Sequence, residues 1–318
     1  MHTWLIRRLI SLVPTLFLVT IIVFIVIRLV PGNIIDLMVS QHEYSMEGEG
    51  REAIIKALGL DVPVYVQYGR WIRDMVFHGD LGSSLWNKMT VTSLLGARMA
   101  TTLELGILAI IIALVIAIPI GIYSAIRQDT IGDYIGRTMA ILGLAVPNFW
   151  LGTMVIVFPS LWWNWSPSFQ LIKFTEDPLG NLGMFLLPAF ILGLSMASTT
   201  MRMMRTMMLE VLRQDYIKTA WAKGLREREV NLRHAMKNAL IPVITLIGLQ
   251  LPIMIGGTVI IEQIFSLPGM GLLMLEAIFQ RDYPIVTGVT LVIGVGVLFI
   301  NLIVDMSYGF LDPRVQYK

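Results

Sequence analysis

One segment of the chain, residues 201–242, concentrates charge between two long apolar runs. It carries nine lysines and arginines against four acids. Side chains of this kind suit recognition, because clustered cations bind anionic lipid headgroups or the surface of another protein. We therefore expect this segment to be a docking element, and the identity of its partner decides what the protein does.

Residues 215–225 within this segment predict a short amphipathic helix. Apolar residues and one glycine recur there at helical spacing, at Ile217, Ala220, Trp221, Gly224 and Leu225. A helix of about 16 Å is too short to cross a bilayer. Burial of its three large apolar side chains against a partner would contribute about 5–8 kcal/mol before association costs. From the residues alone, a helix lying on lipid headgroups and a helix docked on a protein are equally good interpretations.

The composition places the chain in a membrane. It is 56% hydrophobic and only 14% charged, with a mean hydropathy of +0.73, whereas soluble domains are about 25% charged. Because there are no cysteines, disulfides, thiolate metal ligands and cysteine nucleophiles are excluded.

Six apolar runs predict transmembrane helices, each close to the roughly 20 residues that a bilayer requires. They lie near residues 9–27, 103–123, 138–161, 184–201, 239–261 and 285–304. The first run is too long for a cleavable signal sequence and has no small-residue cleavage site after it, so we expect it to be retained. Prolines in or beside the runs are expected to kink the helices.

The distribution of cations predicts that both termini face the cytosol. An even number of crossings puts both ends on one side, and short cytosolic loops carry an excess of lysine and arginine. The short outer loops contain only Lys173 and Arg281, whereas residues 201–242 contain nine cations. In the longer outer segment we expect one short helix at 51–58 and a second helix. The second carries a helical stripe of Tyr65, Tyr68, Ile72 and Met75.

Sites for chemistry within the chain are scarce. None of the seven lysines follows a glycine, so there is no phosphate-binding G-x-x-x-x-G-K-[ST] loop, and the four histidines are scattered. The polar residues inside the predicted crossings are Glu104, Asn301 and Asp305. For the two acids, snorkelling or helix pairing is favoured over a substrate or proton site.

The basic segment resembles the cytoplasmic "EAA" loop of binding-protein-dependent ABC importer permeases of the dipeptide/oligopeptide/nickel branch. The resemblance is carried by DYIKTAWAKGL at 215–225 and RHAMKNALIP at 233–242. The general importer motif is met only in part, because Lys218-Thr219-Ala220 stands for Glu-Ala-Ala and Lys237 stands where its proline would be. Further matches run from LIRRL at the start to FSLPGMGLLMLEAIFQRDYP and LDPR at the end. The resemblance therefore covers essentially the whole chain.

The resemblance implies an all-α polytopic membrane protein with the type I ABC importer transmembrane fold, as a B-type subunit. It implies a first transmembrane helix at 1–30 and an extracytoplasmic segment at 31–97 between helices one and two. A transmembrane core at 98–311 then holds helices two to six and a cytoplasmic coupling loop at 202–238. A cytoplasmic tail at 312–318 ends the chain.

The resemblance also implies partners and a role. They are a second related permease subunit, two ABC ATPase subunits and an extracytoplasmic substrate-binding protein, in the cytoplasmic (inner) membrane. The chain itself would hold no cofactor, metal or catalytic group, since ATP and Mg²⁺ bind to the partner ATPases, and it would bind no nucleic acid. Coupling to the ATPase is assigned to Asp215, Tyr216, Ile217, Lys218, Thr219, Ala220, Trp221, Ala222, Lys223, Gly224 and Leu225.

The substrate class is left open by the residues. Peptide is the expected cargo, with nickel chelates, glutathione and sugars as alternatives. A secondary transporter would require internal inverted repeats and a buried proton or sodium site. A membrane enzyme would require a clustered catalytic set. Neither feature is visible, so an importer permease is the favoured function.

Overall fold

The computed structural model describes residues 2–29, 55, 61–168 and 170–311, and these form helices joined by short connections. The predicted helix at 51–58, apart from Ile55, and the predicted tail at 312–318 lie outside the described residues. The helices are α1 (His2–Leu29), α2 (Val64–His78), α3 (Val91–Ile126), α4 (Ile131–Ala145), α5 (Asn148–Trp163), α6 (Pro178–Leu212), α7 (Asp215–Ala222), α8 (Glu227–Glu229), a π-helical turn (Val230–Ala235), α9 (Met236–Phe265), α10 (Met270–Gln280) and α11 (Tyr283–Leu311).

The protein is an all-α, multi-pass membrane protein. In the described part of the chain, four helices are long and apolar enough to cross a bilayer, or up to six if each of two helix pairs joined by a short break is one crossing. The predicted first run lies in α1, a helix of 28 residues. The helix expected around Tyr65–Met75 is confirmed as α2.

The third predicted run, 138–161, contains a break much sharper than the expected proline kink. That stretch is two helices, α4 and α5, whose axes differ by 93°. The break lies at Val146, which has extended backbone, and Pro147, which caps α5. Proline has no N–H to donate to the preceding turn and disfavours helical backbone in the residue before it, so the helix ends here rather than bending slightly.

The fourth crossing is longer than the expected 184–201. Helix α6 has 35 residues, about 50 Å at 1.5 Å per residue, and it continues to Leu212 because no glycine or proline interrupts the methionine-rich stretch after residue 200. Met204 and Met208 are buried on one side of this extension, while Arg202 is exposed. The predicted coupling loop at 202–238 is therefore largely helical.

The chain divides into two compact units, residues 1–100 with 269–298 and residues 101–268 with 299–318. In the first unit, the core is an apolar cluster that includes Val91, Leu273 and Val289. Helix α2 adds to this unit by packing on α1, where the Tyr68 hydroxyl lies 2.8 Å from the Thr20 hydroxyl.

In the second unit, α3 packs closely against α6. A Cβ atom at Gly193 would lie 2.6 Å from the Ala109 carbonyl oxygen, and one at Gly121 would lie 2.9 Å from the Met201 carbonyl oxygen. Glycine at these positions lets the two backbones approach, as small residues do in membrane helix pairs. The two helices are thereby fixed to each other at two points along α6.

A candidate coupling helix and its supports

Helix α7 begins and ends with local signals that the sequence carries. Asp215 lies in its first turn, where a negative charge is stabilising, and its carboxylate accepts a 2.7 Å hydrogen bond from Lys218 Nζ. This bond lowers the pKa of the exposed Asp215 carboxyl below its usual value. At the other end, Gly224 has φ +75°, and the N–H groups of Gly224 and Leu225 bond the carbonyls of Trp221 and Ala220. This pattern is a Schellman C-cap.

One face of α7 is buried within its own chain. Ile217 is fully buried and Ala220 is nearly so, in a cluster with Met204 and Met208 of α6 and Val230 of the π-helical turn. The prediction that Ile217 and Ala220 belong to a docking face is therefore wrong. Burial of an isoleucine contributes about 1.5–3 kcal/mol, and here it holds α7 against its own unit.

The rest of the α7 surface is exposed, including the two aromatic residues that flank the buried face. Tyr216 and Trp221 are each 44% exposed, and Lys218, Thr219, Ala222, Lys223 and Gly224 are exposed between and beside them. A Cβ atom at Gly224 would meet nothing within 4 Å, so another surface could approach the backbone there. Of the predicted coupling residues, these seven and Asp215 are accessible, while Leu225 is half-buried.

A hydrogen bond joins the two sequence stretches, 215–225 and 233–242, that carry the family resemblance. Asn238 Nδ2 donates to the Tyr216 hydroxyl at 2.8 Å, and also to the His234 carbonyl at 3.2 Å. Asn238 is at the start of α9, so the bond ties α7 to a membrane helix. Helix α7 is thus attached to α9 by this bond, and its buried Ile217 shares an apolar cluster with α6 and the π-helical turn.

A buried ion pair joins the α3–α4 turn to α6, the helix that precedes α7. The Asp133 carboxylate is fully buried and accepts two 2.9 Å bonds from Arg205 of α6, through Nε and Nη2. It also accepts bonds from the Ser124 hydroxyl at 2.6 Å and the Asp129 N–H at 3.1 Å. The paired arrangement with an arginine is among the strongest hydrogen bonds in proteins. It holds the turn between α3 and α4 on α6, seven residues before α6 ends.

Sequence reasoning missed this ion pair. Arg205 was one of nine cations in a basic segment, and nothing in the sequence pairs it with an aspartate 72 positions away. The only available signal was local, because Thr130 precedes Asp133 by three residues and caps α4, which marks a helix start.

The polar positions of the membrane helices lie apart from α7 in the sequence. Glu104 of α3 is half-buried and interacts with the side chain of Asn181 on α6. Asn181 is fully buried and donates from Nδ2 to the Ile172 carbonyl at 2.8 Å. Its Oδ1 has no hydrogen-bond partner among the described residues. The contact joins α3 to α6, as the helix-pairing interpretation of Glu104 expects.

A third intramembrane acid is not indicated by the apolar runs. Glu262 of α9 is fully buried and accepts a 2.7 Å bond from the Thr102 hydroxyl of α3. It was missed because the fifth apolar run was taken to end at residue 261. Asn301 is half-buried in α11, and the side chain of Asp305 lies outside what the structure describes. Over the described residues, no three His, Asp or Glu side chains come close enough to hold a metal.

Comparison with known proteins assigns a family to this arrangement. Two family profiles match: "Binding-protein-dependent transport system inner membrane component" over residues 117–317, and its N-terminal counterpart over residues 1–106. The chain is 39% identical over 320 residues to the oligopeptide transport system permease protein AppB of Bacillus subtilis. It is 38% identical over 317 residues to a putative peptide transport system permease protein of Brucella abortus, and 36% identical over 341 residues to the dipeptide transport system permease protein DppB of Escherichia coli K12. Each alignment covers 100% of both chains.

Proposed function

This chain belongs to the inner membrane components of binding-protein-dependent transport systems, and we propose that it carries peptides and is driven through α7 by a separate ATPase. It is a transmembrane permease subunit of an ATP-driven importer, and it is not itself an enzyme. The family works with a substrate-binding protein and an ABC ATPase.

The observation that carries the proposal is the division of α7 into two faces. Its buried face, at Ile217, lies in an apolar cluster with residues of α6 and the π-helical turn, while Tyr216 and Trp221, on either side of that face, are each 44% exposed. The exposed face docks in a cleft of the ATPase subunit. Aromatic side chains that are half exposed in the free subunit are typical anchors of protein interfaces.

Rigid attachment converts docking into mechanical coupling. When the ATPase subunits close on ATP, α7 moves with them, and α6 and α9 follow because they are fixed to it. Two ATPase subunits bind ATP and Mg²⁺, and a second related permease subunit completes the pore. Both termini lie in the cytosol, as the distribution of short basic loops supports.

Cross-linking tests the docking surface directly. Because the chain has no cysteine, a single cysteine at Thr219 is a unique reactive site on the exposed face. Thr219→Cys, paired with cysteines around the cleft of the ATPase, is expected to form a disulfide-length cross-link in the assembled importer.

Thr206→Cys is the matched control. Thr206 is also an exposed threonine of the second unit, but it lies on α6 rather than α7. The proposal requires cross-links from residue 219 and not from residue 206. Equal yields at both sites, or accessibility of residue 219 only to an outside reagent in intact cells, would overturn the docking surface or the orientation.

Peptide is the best-supported cargo because the relatives with full-length alignments are described as oligopeptide, peptide or dipeptide permeases. In proteoliposomes that contain the assembled importer with its binding protein, ATP-dependent uptake of labelled dipeptides and longer peptides is expected. Nickel chelates, glutathione and sugars serve as competing substrates. Uptake of one of these in place of peptides would refute the substrate assignment and leave the coupling assignment intact.

A further inference from the structure

A basic cavity lies beside the coupling helix in the second unit, and the proposed function does not use it. It has a volume of about 630 Å³ and lies between the end of α3 and the α8–π-helical turn. Its charged lining residues are Arg127, Arg226, Arg228 and Glu227. All four side chains are exposed, so the cavity is open to a ligand.

The electrostatics of this basic cavity favour an anion. Glu227 Oε1 lies 3.9 Å from Arg127 Nη2, which leaves Arg226 and Arg228 as cations with no ion-pair partner among the described residues. Arginine guanidinium groups match phosphate geometry through paired N–H donors. The lining thus presents two uncompensated arginines.

A buried amide points to the same kind of ligand. Asn231 lines the cavity and is only 6% exposed. Its side-chain amide makes no hydrogen bond with any described residue and is not sealed from solvent, so it is available to a ligand in the cavity. A phosphate oxygen or a glycerol hydroxyl in the cavity would satisfy this amide.

The apolar part of the lining distinguishes a lipid from a soluble phosphate. Tyr123 and Leu232 line the cavity and are 52% and 40% exposed. The Tyr123 ring packs at Gly132 of α4, next to Ile131 and Ile135, which are 80% and 56% exposed. The cavity therefore opens beside an exposed apolar surface with a tyrosine at its margin, which is the pattern of a membrane interface.

We propose that this basic cavity binds the headgroup of an anionic phospholipid of the inner leaflet. Basic pockets between helix ends on the cytosolic side are suited to such headgroups. The bound lipid bridges the α3–α4 turn and the α8–π-helical turn, so it stiffens the supports of α7 and strengthens coupling. The assignment to the inner leaflet rests on the proposed orientation.

Photolabelling tests the site without any transport measurement. The assembled importer is placed in phosphatidylethanolamine nanodiscs that contain a photoactivatable phosphatidylglycerol, and labelled peptides are identified by mass spectrometry. Label is expected on residues 226–232. Arg226→Gln/Arg228→Gln should reduce it about tenfold or more, because each cation near an anionic lipid contributes about 1 kcal/mol.

Two variants keep the test specific. Arg226→Lys/Arg228→Lys retains the charge and should retain most of the label. Arg202→Gln/Arg233→Gln removes two exposed arginines of the same basic segment that do not line the cavity and should leave the label unchanged. Equal loss in this control would reduce the effect to general surface charge and overturn the site.

Three further outcomes would contradict the proposal. They are equal labelling by a photoactivatable phosphatidylcholine, absence of label from residues 226–232, and loss of label when excess inorganic phosphate is added, which would identify a soluble anion as the ligand. Failure of the Thr219 cross-link with normal lipid labelling would instead remove the docking proposal and leave the lipid site standing.

Discussion

Two buried aspartates each hold a loop onto a helix, one in each compact unit, and their bonding differs. Asp133 of the second unit uses both carboxylate oxygens, with Arg205 as its principal donor. Asp282 of the first unit uses only Oδ2, which accepts from the Ser84 hydroxyl at 2.6 Å and the Leu85 N–H at 3.1 Å. Its Oδ1 is buried with no hydrogen-bond partner among the described residues.

This difference in bonding indicates which part of the molecule resists displacement. The bonds between Asp133 and Arg205, the charged clamp, pair a carboxylate with a guanidinium group. They support α6, the helix that precedes α7. The bonds of Asp282, the neutral clamp, use neutral donors and hold a loop of the first unit, and each bond to such a carboxylate contributes about 1.5–3 kcal/mol. Stiffness is therefore concentrated where ATPase motion is proposed to enter the permease.

Breaking the charged clamp should have the largest effect. Arg205→Gln leaves the buried Asp133 carboxylate with only the more distant Arg137, whose Nε lies 3.5 Å from Oδ1, and loss of one partner costs about 3–5 kcal/mol in comparable buried ion pairs. We expect a markedly lower unfolding temperature for the purified importer. The measurement is thermal unfolding of the complex in detergent, followed by intrinsic fluorescence.

A double variant sharpens this result. Asp133→Asn/Arg205→Gln removes both charges, so the penalty for an unpaired charge disappears and most of the stability should return. If the double variant loses as much stability as Asp133→Asn and Arg205→Gln lose in sum, the pair is not acting as a charged clamp.

Truncating the buried Ile217 side chain of α7 should have the next largest effect. Ile217→Ala removes a fully buried side chain and should cost about 2–4 kcal/mol through the cavity left behind. Because the helix is loosened from α6, we expect ATP hydrolysis to continue with less peptide imported per ATP. The ratio is measured in proteoliposomes.

Trp221→Ala is the matched change on the exposed face. It should leave the unfolding temperature nearly unchanged, since surface substitutions are usually within ±0.5 kcal/mol, but weaken assembly with the ATPase. Co-purification of the ATPase with each variant separates the two roles. Similar behaviour of both variants would mean that α7 does not have two distinct faces.

Weakening the neutral clamp should cost less. Asp282→Asn retains an oxygen that accepts from Ser84 and Leu85, and it loses only the charge, so we expect a loss of about 1 kcal/mol. Thermal unfolding of Asp282→Asn beside Asp133→Asn gives the comparison. A larger loss at residue 282 would reverse the proposed distribution of stiffness.

An effect of similar size is expected at the end of α7. Gly224→Ala places a Cβ in left-handed backbone, at a cost of about 1–2 kcal/mol, although the space beside it is open. Gly224→Asn should cost less, because asparagine tolerates this conformation. Unfolding temperatures of the two variants test whether backbone strain alone matters. A greater loss for asparagine would show that space, and not φ, limits this position.

The sequence predicted the helices best where long apolar runs and cap residues act locally. It predicted α2, and it predicted α7 from a stripe of residues at helical spacing. It could not predict that Ile217 is buried within its own chain, because a stripe does not say which surface covers it. The Asp133–Arg205 pair was hidden for a related reason, since its partners are brought together only by the packing of α3, α4 and α6.

The rigidity of α7 on its own unit is the central claim, and a distance measurement tests it most directly. Spin labels at Thr206→Cys and Thr219→Cys report the separation of α6 and α7 by double electron–electron resonance in the assembled importer. If α7 is rigidly held, one narrow distance is expected, the same without nucleotide and with ATP trapped, while peptide uptake is retained. A broad distribution, or a distance that shifts when ATP is trapped, would contradict it.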